Sequence, residues 1–78
     1  MRIVIENLPH GISEEEIREE LSPFVSSEKI RLIKEGNMPA ALIEMDMTGA
    51  QADALATRIE GRVHRGQRLH AWVPLWRE

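Results

Sequence analysis

Arg2-Ile3-Val4-Ile5-Glu6-Asn7-Leu8-Pro9-His10-Gly11-Ile12-Ser13-Glu14-Glu15-Glu16-Ile17 begins as one kind of structure and ends as another. Residues 2–6 put β-branched side chains in succession, which predicts a strand buried on at least one face. Asn7, Pro9, His10 and Gly11 then mark a loop. Ser13 is a favourable N-cap with Glu16 three residues on, the spacing of a capping box. Ile12 and Ile17 stand where a hydrophobic staple would place them, and Glu14, Glu15 and Glu16 suit the positive end of a helix dipole. A strand running into a helix through a short loop is therefore predicted for the N-terminal quarter of the chain.

The pattern continues outward from there. Ile17, Leu21 and Phe24 form the inward stripe of the first helix, and Pro23 predicts its end near Leu21 or Ser22. Residues 29–34 read as a second strand, with Ile30 and Leu32 on one face and Arg31 and Ile33 on the other. Glu35, Gly36 and Asn37 make a turn. Residues 40–46 read as a third strand, with Ala41, Ile43 and Met45 facing one way and Ala40, Leu42 and Glu44 the other. A second helix follows Thr48, with Gln51 completing another capping box. Its apolar face is Ala52, Leu55, Ala56 and Ile59, and Gly61 stops it. Gly66 marks a turn, and a last strand is predicted over 68–75. Leu69, Ala71, Val73 and Leu75 share one face of that strand; Arg68, His70 and Trp72 share the other.

Strand, helix, strand, strand, helix, strand is the split βαβ, or ferredoxin-like, arrangement. The expected fold is α+β, βαββαβ: a four-stranded antiparallel sheet with both helices on one face and the other face open. The predicted core is Ile3, Ile5, Leu8, Ile17, Leu21, Phe24, Ile30, Leu32, Ala41, Ile43, Met45, Leu55, Ile59, Leu69 and Ala71.

Bulk properties bound what such a chain does. Its 78 residues make one domain, over 1–78, with a single thin core. A chain of this size buries about 60–65% of its unfolded surface, so no deep active-site cleft is expected. Cysteine is absent, which excludes disulfides and thiolate metal sites and fits a reducing compartment. No apolar run is long enough to span a membrane, and Met1 to Leu8 read as a strand, not a secretory signal; the cytoplasm is the expected location. His10, His64 and His70 are too scattered for a local metal motif, and no cofactor is expected. The net charge of −3 argues against a strong general nucleic-acid binder. Charge is nonetheless segregated: Arg58, Arg62, Arg65 and Arg68 lie close in sequence, whereas Glu14, Glu15, Glu16, Glu19 and Glu20 form a run read as a solvated helix face.

Ile3-Val4-Ile5-Glu6-Asn7-Leu8 resembles the hexamer of the RNA recognition motif, which runs aliphatic, aromatic, aliphatic, any residue, Asn, Leu. Val4 stands where the aromatic would be. Gly61 and Gly66, with Leu69 and Ala71 behind them, also resemble that family's ending, and the resemblance covers essentially the whole chain. The family's octamer is Lys/Arg-Gly-aromatic-Gly/Ala-Phe-Val-x-aromatic. Here the aligned residues are Met38-Pro39-Ala40-Ala41-Leu42-Ile43-Glu44-Met45, so Ala40 and Leu42 replace both sheet-face aromatics and Met38 replaces the basic residue.

The resemblance implies single-stranded RNA as the partner, held across the open sheet face by Arg2, Val4, Arg31, Ile33, Leu42, Arg68, His70 and Trp72. In the family the aromatics stack two or three unpaired bases, each contributing about 1–3 kcal/mol. Their loss predicts weak binding, with Trp72 as a displaced stacking surface and Arg31 and Arg68 for phosphate. A bland reading has Trp72 merely covering a sheet edge. An alternative function uses the apolar patch of Val4, Ile33, Leu42 and Trp72 as a protein-interaction surface, in a homodimer or with another protein. An enzyme is not expected. Acylphosphatases resemble this fold but carry a phosphate-cradling Gly-rich loop with an arginine after the first strand; here that loop is Asn-Leu-Pro-His-Gly-Ile. No nucleophile and base stand at recognisable spacing.

Overall fold

The structure is a computed structural model that describes residues 1–21 and 29–74. The expectations for Pro23, Phe24 and Leu75 lie outside the described residues. Strand β1 spans Arg2–Glu6, helix α1 Glu14–Leu21, β2 Lys29–Ile33, β3 Ala40–Glu44 and α2 Gly49–Ile59. Three short strands follow: β4 Val63–His64, β5 Gln67–Arg68 and β6 His70–Trp72. The main sheet runs β2-β3-β1-β6 with every pair antiparallel, and β4-β5 make a separate two-stranded sheet.

The strand parities hold. Ile3, Ile5, Ile30, Ala41, Ile43 and Ala71 face the helices and are buried with Leu8, Ile17, Leu21, Leu55, Ile59 and Leu69. Ile12, Ala52 and Ala56 join the same core. Leu32 is only half-buried, because β2 is an edge strand and lacks a neighbour on its outer side. At about 1.5–3 kcal/mol per fully buried aliphatic side chain, the contact of sheet on helices is the main source of stability.

The two helix starts differ. Thr48 caps α2 reciprocally: its Oγ1 accepts from the Gln51 amide at 3.2 Å, and the Gln51 Oε1 accepts from the Thr48 amide at 2.9 Å. At α1 the Ser13 Oγ accepts from the Glu16 amide at 3.1 Å, but the Glu16 carboxylate does not close the predicted box. It turns instead to the β4-β5 hairpin, where it meets His64 Nε2 at 2.6 Å and Arg65 Nε at 2.8 Å. Glu20 joins it, contacting Arg62 Nε at 3.2 Å and His64 Nδ1 at 3.3 Å. The glutamate run is thus not a uniformly solvated face: two of its members fasten the hairpin to α1.

The last strand also departs from expectation. A single strand over 68–75 is not formed; β6 is confined to His70–Trp72, and Arg68 belongs to β5. The cause lies in β1, which ends at Glu6. Asn7 takes φ 64°, a left-handed conformation that asparagine tolerates, and its side-chain amide donates to the Arg68 carbonyl at 2.8 Å. Arg65 and Gly66 both have positive φ, 49° and 80°, as the two central residues of a tight hairpin turn whose twist suits the flanking strands. Leu69 then bonds back to the end of α2, its carbonyl accepting from Gly61 at 2.8 Å and its amide donating to the Arg62 carbonyl at 2.7 Å.

Candidate nucleic-acid interface

The register across β2, β3, β1 and β6 sorts the open-face side chains into rows. The central row is Arg31, Leu42, Val4 and Trp72, each the direct cross-strand partner of the next. Three interstrand gaps make this row about 14 Å long. On one side lies the row Lys29, Glu44 and Arg2. On the other, Ile33 is paired with Ala40 and His70 with Glu6. Val4, Leu42, Ile33 and Ala40 are half-buried by their neighbours, and Trp72 is 41% exposed at the end of its strand.

Seven of the eight side chains expected at the site therefore share this face: Arg2, Val4, Arg31, Ile33, Leu42, His70 and Trp72. Arg68 does not. It stands beyond the end of the main sheet, with its guanidinium near Gly61. Three charged members of the face were missing from the expected site. Lys29 shares the parity of Arg31 and Ile33, so its place was readable from the alternation. Glu6 and Glu44 carry the same parity signal, and Glu44 stands out once its two cationic neighbours are known.

The charge on the face is uneven. Arg2, Lys29, Arg31, Leu42 and Glu44 line one shallow depression. Arg2 Nε lies 3.1 Å from Glu44 Oε1, with side chains 43% and 42% exposed. An ion pair so exposed contributes about 0–1 kcal/mol to folding, so it has little structural value. Val4, Glu6, Ile33, Ala40 and His70 line a second trough.

His70 marks the outer edge. Its Nδ1 lies 3.1 Å from Glu60 Oε2, while Glu60 Oε1 accepts from the Ala71 amide at 2.9 Å. The Ala71 bond first, and the His70 contact second, hold the Glu60 carboxyl below its ordinary value. Glu60 thereby occupies an N–H that the edge strand would otherwise present to another chain. Among the described residues no group of His, Asp or Glu side chains is arranged to hold a metal, and no helix is long and apolar enough to cross a membrane.

The sequence pattern of the RNA recognition motif matches residues 3–69. The chain belongs to that family. In an RNA recognition motif the open sheet is the face that meets RNA, and family membership supports RNA binding in general. The C. elegans NONO-1 homodimer is similar in structure, with a TM-score of 0.77 and 27% identity over 95% of this chain and 28% of that one. The match thus takes in well under a third of the NONO-1 chain. The crystal structure of RNA binding protein PG1 also has a TM-score of 0.77, with 21% identity over 100% of this chain and 98% of the other, a likeness that carries the fold alone. No curated protein matches the chain by sequence.

Against the family, the departures fall together in space. Val4 and Leu42, which replace two stacking aromatics, are direct cross-strand partners. The middle of this RNA recognition motif is therefore a shallow aliphatic strip, and among the described residues the large aromatic ring stands at the end of the row, at Trp72.

Proposed function

We propose that this RNA recognition motif binds single-stranded RNA weakly across its open face, with Trp72 stacking one base and Arg31, Arg2 and Lys29 meeting phosphates. The observation that carries the reading is the unbroken row Arg31, Leu42, Val4, Trp72, which sets a cation at one end and a stacking ring at the other. A nucleotide stacked on Trp72 directs its neighbours over Val4 and Leu42, which offer apolar contact to base faces but no ring. Fewer stacked bases and a net charge of −3 account for low affinity. His70 borders the path, and Arg68 is left a role only in phosphate contact beyond the sheet's end. The cysteine-free composition fits work in the cytoplasm.

The test is an NMR titration of labelled protein with a random single-stranded RNA pool at low salt. Shifts confined to Arg31, Leu42, Val4, Trp72 and their flanking strands are expected. Shifts restricted to α1 and α2 would refute the reading.

A second reading takes the same face as a protein interface, in a homodimer or against another protein. It is favoured by the half-buried aliphatic strip of Val4, Ile33 and Leu42. The likeness to part of the NONO-1 homodimer is compatible with it. Sedimentation at high concentration separates the two readings.

A further inference from the structure

Glu44 stands between the cations of the RNA face. It is the direct cross-strand partner of both Lys29 and Arg2, and it holds Arg2 at 3.1 Å. Direct cross-strand neighbours have Cβ atoms about 4.5–5.5 Å apart, so a carboxylate in the middle strand is within reach of both. Arg31 lies in the adjoining row, and all four side chains line the same depression. Arg18 and Glu14 of α1 border the depression from the helix side, and among the described residues Glu44 is the carboxylate that stands on the sheet between Lys29 and Arg2.

The position is costly for a nucleic-acid face. A phosphate approaching Arg2 or Lys29 must either displace Glu44 or accept its repulsion. So exposed a pair contributes little to folding. Its consequence is local: it lowers the positive potential of the corner where phosphate would bind, and phosphate contacts dominate both the affinity and its salt dependence.

Resting on the RNA reading above, we propose that Glu44 is an affinity-limiting residue of this interface, an ionic restraint that competes with the RNA backbone for Arg2 and Lys29. The restraint leaves Arg31 and Trp72 as the contacts made at little electrostatic cost. It also makes the face selective. A ligand must supply stacking at Trp72, because the cationic corner alone does not hold a polyanion.

The test compares Glu44→Gln with Glu15→Gln. Each raises the net charge from −3 by one unit, but Glu15 is an exposed residue of α1, away from the open sheet. Binding of a fluorescent random single-stranded RNA pool is followed by anisotropy over a series of salt concentrations. Glu44→Gln is expected to bind about threefold to fivefold more tightly at low salt, and its log–log salt slope steepens by about 0.7 for each cation released to phosphate. Glu15→Gln stays at the wild-type slope. Equal gains in the two variants overturn the proposal, because overall charge then explains both. Wild-type binding with no change in Glu44→Gln overturns it while leaving the RNA reading in place. Absence of RNA binding in all three proteins removes the RNA reading and the restraint together.

Discussion

Trp72→Ala separates a stacking ring from a ring that merely covers the sheet. Trp72 closes β6, pairs with Val4 and is 41% exposed, so it already packs over part of its surface and offers the rest to a ligand. Removing the covered part costs folding about 1–2 kcal/mol, read as a lower urea midpoint. Removing the exposed ring costs binding about 1–3 kcal/mol if one base stacks there, a fall of about 5-fold to 150-fold in affinity. Trp72→Phe keeps a smaller ring in the same place and is expected to recover part of the binding. Affinity is measured by anisotropy at low salt and stability by urea unfolding, at a temperature where all three proteins are folded. An Ala variant that loses stability but binds RNA as tightly as wild type would refute the stacking role and return Trp72 to sheet cover.

Other outcomes follow from the same geometry. Arg31→Ala should reduce the magnitude of the salt slope of RNA binding by about 0.7, the share of one phosphate on a single strand; an unchanged slope removes Arg31 from the path. Leu42→Glu places a carboxylate in the central row without touching the core, so the monomer should stay folded and lose RNA-induced NMR shifts; if the wild type sediments as a dimer that this change dissociates, the protein-interface reading gains. Glu16 is held below its ordinary value of 4.5, chiefly by the His64 hydrogen bond and, against the opposing effect of burial, by the Arg65 charge. A depressed carboxyl stabilises the fold above its unfolded value and loses that contribution as pH falls through the lower folded value. The stability gap between wild type and Glu16→Gln should therefore be present at neutral pH and close under acid conditions well below 4.5, as followed by urea midpoints. Thr48→Ala should cost about 1 kcal/mol in the same assay, since Thr48 caps α2 with Gln51.

Some of this molecule is local, and it was legible. The alternation Ile3, Val4, Ile5 settles which side chains face the helices, because a strand has a period of two whatever its partners. The Thr48 and Gln51 pair caps its helix as the spacing predicts, because both residues sit within one turn. The Ser13 and Glu16 pair has the same spacing and forms only its backbone half. What differs is the presence of His64 and Arg65, 48 and 49 residues away, which offer Glu16 charged partners that a helix-start amide does not match.

The last strand shows the same division. The parity of Leu69, Ala71 and Val73 was readable, and the first two are buried with Val73 packed beside them. The length of the strand was not. It depends on where β1 stops, and β1 stops because Asn7 turns out of the ladder and bonds Arg68 from the side. That contact takes Arg68 off the expected face, although nothing in residues 68–72 by themselves signals the break at Leu69.

The sequence by itself determined the order of the first five elements, the two faces of the main-sheet strands, most of the core and the family, because these follow from periodicity, capping residues and a motif a few residues long. Only the tertiary structure decided which open-face residues stand side by side. The line from Arg31 through Leu42 and Val4 to Trp72, and the place of Glu44 between Lys29 and Arg2, depend on the register of strands distant in the chain. Register is set by the fit of all the buried faces at once, and a shift of one residue would turn the core side chains outward. The chemistry of the face is therefore a property of the folded sheet, although each of its residues was already in view.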